Sequence, residues 1–233
     1  MTHRYCQFCP VAKAAEVLGE RWTILILREF LLGTTRYSEL QRGLSRISPT
    51  LLTRRLRQLQ DQGLIVRRAG GRNGHSEYRL TPAGRDLREA VLSLGKWGMR
   101  WARGQMEDDE LDVQLLMLDF MRRIDADALP DGTTVVQFSF PGLPRFAHWW
   151  IVVDSRGRRE LCATNPGRDV DLRIRSDLRT LVEVWAGDVS MRAARADGRV
   201  EVSGDPVLAR TLSSWLRSGL LSGVRPAGEA RRR

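Results

Sequence analysis

Residues 48–63 have the sequence SPTLLTRRLRQLQDQG, which has the features of a short amphipathic helix. Ser48 is a favourable N-cap, Pro49 suits the first helical position, and Gly63 suits the residue after the last turn. Three leucines recur at helical spacing and would form one apolar stripe: Leu52, Leu56 and Leu59. The pattern predicts a helix that packs against a core through this stripe.

Hydroxyl and guanidinium groups recur on the opposite face of this predicted helix, at Thr50, Arg54 and Arg57, with Thr53 beside them. Arg55 is predicted to flank the leucine stripe. Such a face suits the major groove of DNA, whereas a solvated basic face is the alternative that an isolated helix would favour.

The surrounding sequence favours the first interpretation. A short helix over residues 37–42 and a turn over residues 43–47 lead into the basic helix, which is the helix-turn-helix pattern. Residues 64–68 and 77–80 read as two strands of a hairpin. The hairpin is predicted to have a basic tip that carries Arg67, Arg68, Arg72 and His75.

Helices are also predicted on both sides of this region. Residues 10–18 and 21–32 should form two helices, the second of them apolar on most sides and buried. A long helix should begin at Thr81-Pro82 and continue to about Arg103. Its stripe, which includes Leu94 and Trp97, is larger than a small domain needs, so part of it is expected to contact another subunit.

Charge divides the 233 residues into two parts. Residues 1–104 hold 19 Lys or Arg against 8 Asp or Glu, a net +11, and residues 105–233 hold 19 against 20, a net −1. This asymmetry predicts a nucleic-acid module joined to a second domain. No apolar run approaches a membrane span, no secretory signal is visible, and three cysteines are too few for a disulfide scaffold. We therefore expect a cytoplasmic protein without a membrane partner.

The second part reads as a connecting helix over residues 105–129, a domain over residues 130–221 and a disordered tail over residues 222–233. The connecting helix has an apolar stripe of Leu111, Leu115 and Leu118. It should pack on the long helix that is expected to contact another subunit, or on the next domain. Alternating apolar residues at 136–140 and 170–174, an apolar run at 149–153 and the segment 159–163 after a turn predict three or four antiparallel strands, and residues 199–202 another. Helices are predicted after Ser176 and after Asp205-Pro206.

Several segments of the first part resemble the HxlR family of winged-helix transcription regulators. They are Cys9-Pro-Val, GERWTILILRE from Gly19, RYSEL from Arg36, ISPTLLTRRL from Ile47, DQGLI from Asp61 and EYRLTPAG from Glu77. The resemblance covers about residues 9–103. It implies a homodimer built from the first helix and the helix near Trp97, with double-stranded DNA read by the helix after Ser48 and with the hairpin as wing. The DNA-binding residues predicted on this basis are Arg36, Ser48, Thr50, Thr53, Arg54, Arg57, Arg67, Arg68 and Arg72.

Residues 133–217 resemble the sterol-carrier-protein-like fold, most clearly in GRVEVSGD from Gly198 to Asp205. The resemblance implies a five-stranded sheet, helices on one side and an apolar tunnel for a lipid-like ligand. Four aromatic residues are candidates to line that pocket, with core packing as the alternative for each: Phe138, Phe140, Trp149 and Trp150.

Cys6 and Cys9 form a C-x-x-C pair, but a zinc site would need two more ligands, and only His3 lies near. We therefore predict no metal. Cys9 precedes Pro10 at a helix start, where the helix dipole favours a thiolate, and it matches the cysteine that several HxlR-like regulators use to sense oxidants. An inert packed cysteine is the alternative. No nucleophile, base or phosphate-binding motif stands out, so we predict no enzyme and no cofactor.

The sequence thus predicts an α+β protein with an N-terminal winged helix-turn-helix domain and a C-terminal sterol-carrier-like α/β domain with an antiparallel-rich sheet. The predicted function is a dimeric, sequence-specific transcription regulator, with repression favoured, that responds to a small apolar ligand or to thiol oxidation. The alternative is a lipid-binding carrier with a basic docking module.

Overall fold

The computed structural model describes residues 4–69, 76–103 and 107–227. The chain divides into two compact units, Met1–Lys96 and Trp97–Arg233. No helix within the described ranges is long and apolar enough to cross a membrane. Together the helices and the mixed sheet confirm the α+β class.

The first unit is built on four helices, a hairpin and two further helices: α1 (Pro10–Leu18), α2 (Thr23–Leu31), α3 (Tyr37–Gly43), α4 (Pro49–Asp61), β1 (Ile65–Arg68), β2 (Glu77–Leu80), α5 (Pro82–Asp86) and α6 (Arg88–Trp97). Its core joins Ile26, Leu27 and Phe30 of α2 to the leucine stripe of α4, which is buried as predicted. The prediction that α2 is apolar and buried on most sides is only partly right, because Leu25 is exposed.

The hairpin strands β1 and β2 pair antiparallel, with Ile65 opposite Leu80 and Arg68 opposite Glu77. Strand β2 is tied to the segment before α3, because the Tyr78 N–H donates to the Thr35 carbonyl at 2.8 Å. Of the predicted basic tip, Arg67 and Arg68 lie on β1, whereas Arg72 and His75 lie outside the described residues.

The long helix predicted from Thr81 to Arg103 is interrupted in the structure. The Thr81 hydroxyl caps α5 by accepting the Gly84 N–H at 3.1 Å, which confirms the predicted helix start at Thr81-Pro82. A separate α6 follows, and a π-helical turn over Gly98–Ala102 continues from it. Leu94 and Trp97 are 50% and 59% exposed.

The second unit has two short 3₁₀ turns, at Asp108–Glu110 and Ala126–Ala128, besides its main elements: α7 (Val113–Arg123), β3 (Thr134–Ser139), β4 (His148–Val153), β5 (Arg159–Cys162), β6 (Leu172–Ser176), α8 (Leu178–Ala186), α9 (Met191–Ala196), β7 (Val200–Gly204), α10 (Pro206–Arg210) and α11 (Leu212–Trp215). The sheet order is β5-β4-β3-β6-β7. Strands β3 and β6 pair parallel and the other neighbours antiparallel. The sequence therefore predicted the strands and their antiparallel bias but missed the parallel central pair.

Helix α7 belongs to the core of this second unit, where Phe120 stacks on Phe138 with ring centroids 5.9 Å apart. Part of the predicted stripe faces this core, since Leu118 is buried and Leu111 is partly buried against it, whereas Leu115 is only partly buried. The helix also buries Val113, Leu116, Met117 and Phe120, which the predicted stripe did not include.

The helix predicted after Ser176 is capped one residue later than the sequence indicated. Asp177 accepts the Thr180 N–H at 2.8 Å, while the Ser176 hydroxyl donates to the Arg199 carbonyl at 2.8 Å. The helix predicted after Asp205 is present but divided into α10 and α11, and the Asp205 carboxylate accepts the Val207 N–H at 2.7 Å.

Candidate nucleic-acid interface

The outward face of α4 carries the polar groups that the sequence placed there. Thr50, Thr53, Arg54 and Arg57 are all exposed. The Ser48 hydroxyl caps the helix by accepting the Leu51 N–H at 3.3 Å. Because this cap supports the end of the helix, the basic face is presented on a regular helix from its first turn.

Thr53 keeps only part of its hydrogen-bonding capacity. Its hydroxyl donates to the Pro49 carbonyl of the preceding turn at 2.9 Å. The Tyr37 hydroxyl of α3 donates to that same carbonyl at 3.1 Å. Towards an outside molecule Thr53 can therefore offer a hydrogen-bond acceptor and a methyl group, whereas the exposed guanidiniums of α4 offer donors.

The remaining arginine of α4, Arg55, is buried, which sequence reasoning missed. Its Nη2 lies 2.6 Å from Oε2 of Glu20, its Nε donates to the Arg21 carbonyl at 3.1 Å, and its Nη1 donates to Oε1 of Gln58 at 2.7 Å. We call these four residues the Arg55 cluster. The cluster connects α4 to the turn between α1 and α2.

A buried carboxylate, Glu29 of α2, supports the turn that precedes α4. Nη2 of Arg28 lies 2.8 Å from Oε1 of Glu29 and also donates to the Gly43 carbonyl at 3.2 Å. The Thr34 hydroxyl donates to Oε2 of Glu29 at 3.5 Å. Sequence reasoning missed this network too, since the helical pattern does not distinguish a buried Glu from a solvated one.

Two further groups of predicted residues lie on neighbouring elements. Arg36 is exposed at the start of α3, where its N–H donates to Oε2 of Glu39 at 3.2 Å, and its backbone forms a bridge with Glu77 of β2. Arg67 and Arg68 are exposed on β1, and Arg67 donates to the Ser76 hydroxyl at 2.9 Å. The structure therefore brings Arg36 beside the Glu77 end of β2, where Glu77 pairs with Arg68 across the hairpin. Sequence reasoning did not select Arg42 and Arg46, which are exposed between α2 and α4.

Cys9 is partly exposed and occupies the N-cap position of α1. The segment before it is tied to the helix, because the Tyr5 N–H donates to Oε1 of Glu16 at 2.8 Å and Lys13 pairs with Oε2 at 3.2 Å. The Tyr5 hydrogen bond is the main reason that the pKa of Glu16 is lowered from its ordinary value, and Lys13 adds to the effect. Cys6 is exposed and has a free thiol, as does Cys9.

The four candidate pocket residues do not share one face of the sheet. Phe138, Phe140 and Trp149 are buried with α7 in the main core of the second unit, whereas Trp150 is buried on the opposite face with Val135 and Val152. A single pocket lined by all four is therefore wrong, because neighbouring strand residues point to opposite faces. The Trp149 indole donates to the Phe146 carbonyl at 2.9 Å, and the buried Trp150 indole N–H has no partner among the described residues.

The first unit thus has the architecture of a winged helix-turn-helix: a capped basic helix that follows a helix and turn, then an antiparallel hairpin. This class of fold presents a helix to the major groove of DNA. Two family models match the chain: HxlR-like helix-turn-helix over residues 17–106, and the SCP-2 sterol transfer family over residues 118–217.

Curated relatives agree with the first match. An uncharacterised HTH-type transcriptional regulator of Synechocystis is 33% identical over 109 residues, which cover 46% of this chain and 78% of that protein. The uncharacterised HTH-type transcriptional regulator YvaP of Bacillus subtilis is 32% identical, with 41% of this chain and 90% of that protein covered. The chain therefore belongs to the HxlR-like helix-turn-helix family.

A relative from Mycobacterium tuberculosis, also an uncharacterised HTH-type transcriptional regulator, is 44% identical over 99 residues. The match covers 42% of this chain, and the chain spans 61% of the length of that relative. Among solved structures, the oxidised form of the redox regulator HypR is 32% identical with a TM-score of 0.37, and the match covers 39% of this chain and 94% of that chain.

Proposed function

We propose that this protein is a sequence-specific transcription regulator that binds double-stranded DNA as a homodimer. The observation that carries the proposal is the outward face of α4, where Thr50, Arg54 and Arg57 are exposed on a helix held by buried leucines. The net charge of +11 in residues 1–104 supports it, because cationic groups neutralise phosphates and release counterions.

Within this proposal the arginines have different tasks. Arg54 and Thr50 contact base edges, since they lie in the first turns of the helix that enters the groove. Arg36, Arg57, Arg68 and Arg72 contact phosphates, which position the protein without reading sequence.

The homodimer is supported by exposed apolar side chains at the two elements that the family resemblance assigns to the interface. Phe8, before α1, is 99% exposed and Val11 of α1 is 75% exposed, while Leu94 and Trp97 lie exposed on α6. Large apolar side chains left in water at these positions indicate a surface that a partner covers. Two copies would present their two α4 helices to DNA half-sites that lie about one turn of the double helix, roughly 34 Å, apart.

The signal in this proposal is a small apolar ligand bound by the second unit, or oxidation of Cys9. A ligand can act only if it binds the DNA-competent and incompetent states with different affinity. The match of residues 118–217 to the sterol transfer family supports the ligand as the signal. In this proposal the ligand binds on the face of the sheet that carries Phe138 and Trp149. Repression is the direction that we favour.

The experiment is selection of bound fragments from the sheared host genome by the full chain, followed by titration of the enriched duplex. Arg54→Ala should weaken binding by roughly 1–3 kcal/mol and relax the preference at one base position. Arg68→Ala should instead weaken binding to all DNA sequences alike. It should also reduce the slope of the logarithm of the binding constant against the logarithm of salt concentration by about one. Arg192→Ala, an exposed arginine of α9, is the matched control and should change neither property.

A lipid carrier with a basic docking module is the second candidate, favoured by the same match to the sterol transfer family. It predicts binding to anionic phosphatidylserine vesicles and equal affinity for all DNA sequences. Enrichment of no DNA sequence, together with vesicle binding, would replace the regulator by the carrier.

A further inference from the structure

We propose that Arg55 is a positioning residue for DNA readout, which fixes the rotation of α4 about its own axis by binding the turn between α1 and α2. This inference rests on the proposed function. It concerns the Arg55 cluster, none of whose members belongs to the predicted DNA-binding set.

The apolar contacts of α4 hold the helix in place but do not fix its angle sharply. Leu52, Leu56 and Leu59 pack against the core, and apolar burial has no preferred direction. A small roll of the helix about this stripe would keep the leucines buried while moving Arg54 and Arg57 across the groove. A helix that reads base edges needs its side chains placed to within about 0.5 Å.

Two directional contacts constrain this roll: the Tyr37 hydroxyl on the Pro49 carbonyl in the first turn of α4, and Arg55 in the middle of the helix. All three nitrogens of the Arg55 guanidinium are engaged, with the Glu20 carboxylate at 2.6 Å, the Arg21 carbonyl at 3.1 Å and the Gln58 amide oxygen at 2.7 Å. The planar guanidinium orients its donors rigidly, so these three bonds define an angle that lysine cannot reproduce. The side chain is 7% exposed, which limits competition from water.

The other end of the cluster is held in one conformation. Trp22, which follows Arg21, has φ of 79°, a left-handed value that a non-glycine residue keeps only when its surroundings enforce it. Helix α1, which ends just before this turn, has no buried residue of its own. The turn that receives Arg55 follows α1 directly, and α1 begins next to Cys9.

The test uses the full chain and two duplexes: the one most enriched by the wild-type protein from a randomised 30-bp pool, and one unselected duplex from that pool. Glu20→Ala and Arg55→Lys should weaken binding to the enriched duplex about tenfold and to the unselected duplex less than about threefold. Glu20→Gln, which keeps an acceptor oxygen, should lie between Glu20→Ala and wild type. Lys13→Ala removes an ion pair with Glu16 inside α1 that does not reach α4, and this variant should bind both duplexes as wild type does.

Hydrogen exchange of the α4 amides separates positioning from simple loss of structure. Glu20 is 31% exposed and Arg55 keeps its bonds to the Arg21 carbonyl and Gln58, so Glu20→Ala should leave most of the protection of α4 in place. Equal loss of affinity for both duplexes, in step with lost protection, would overturn the positioning role. Unchanged selectivity in Glu20→Ala and Arg55→Lys would overturn it as well. If the wild-type protein enriches no sequence, the proposed function itself is wrong, a result distinct from the other two.

Discussion

Replacing Gly43 by alanine should destabilise the first unit, because the new methyl group would collide with the buried Glu29 carboxylate. A Cβ at this position would lie 2.1 Å from Oε2 and 2.5 Å from Cδ of Glu29, more than 1 Å inside van der Waals contact. Glu29 cannot easily yield, since it is fully buried and is held by Arg28 and Thr34.

The size of the effect follows from three contributions. Overpacking of a filled interior costs about 1–3 kcal/mol. Weakening the partners of a buried charge adds to this, and complete loss of a partner would cost about 3–5 kcal/mol. Alanine offsets about 1 kcal/mol, because Gly43 is the last residue of α3 and alanine is the better helix former. We expect a net loss of about 1–3 kcal/mol, or roughly 5–20 °C in the unfolding midpoint of this unit.

Native-state hydrogen exchange of peptides from α4 is the assay, since a chain with two units need not unfold in a single two-state step. Gly98→Ala is the matched control, because a Cβ at Gly98 meets nothing within 4 Å. In a Glu29→Ala background the cost of Gly43→Ala should largely disappear. An alanine at position 43 that is neutral in the wild-type protein, or that costs the same without Glu29, would refute the reasoning.

Three further predictions concern assembly, pH and ligand. Trp97→Glu should convert the dimer into a monomer in sedimentation, because a charge in an apolar interface has no partner; a variant that stays dimeric places the interface elsewhere. The pKa of Glu16 is lowered, so its bond to the Tyr5 N–H should be complete at neutral pH and be lost as pH falls through that lowered pKa. The chemical shift of the Tyr5 amide should change with pH over this range, and Glu16→Gln should abolish that change. An apolar ligand should lose most of its fluorescence quenching in Trp149→Phe and little in Trp150→Phe, and the reverse result would move the ligand to the other face of the sheet.

Local sequence patterns predicted most elements of the first unit. Helix α4 carries its start signal, its leucine period and its end signal within residues 48–63, so nothing distant is needed to recognise it. The buried charges were not predictable in this way. Arg55 and Glu29 acquire their burial from partners elsewhere in the chain, and a helical pattern assigns each a position on a face without showing what covers it.

In the second unit, what could be predicted from the sequence was limited by other causes. The run from Trp149 to Val153 is apolar on both faces, so its strand period is hidden, although strict alternation already separates Trp149 from Trp150. The parallel pairing of β3 with β6 joins segments on either side of two other strands, and no local signal selects that partner. Ser176 and Asp177 are both good caps. Asp177 caps the helix because the Ser176 hydroxyl donates instead to the Arg199 carbonyl, which no local pattern shows.

The second unit brings the start and the end of its described path together, since the Ala227 N–H donates to the Arg100 carbonyl at 2.8 Å. The backbone after α7 meets the backbone after α11, where Ile124 bridges Leu216 and the Asp125 N–H donates to the Trp215 carbonyl at 2.8 Å. A module whose polypeptide enters and leaves at one place can be spliced into, or removed from, another gene while the host chain keeps its course. The same closure makes the module a good subject for circular permutation: opening it at the Asp154–Gly157 turn and linking its natural ends should leave the order of the five strands in space unchanged.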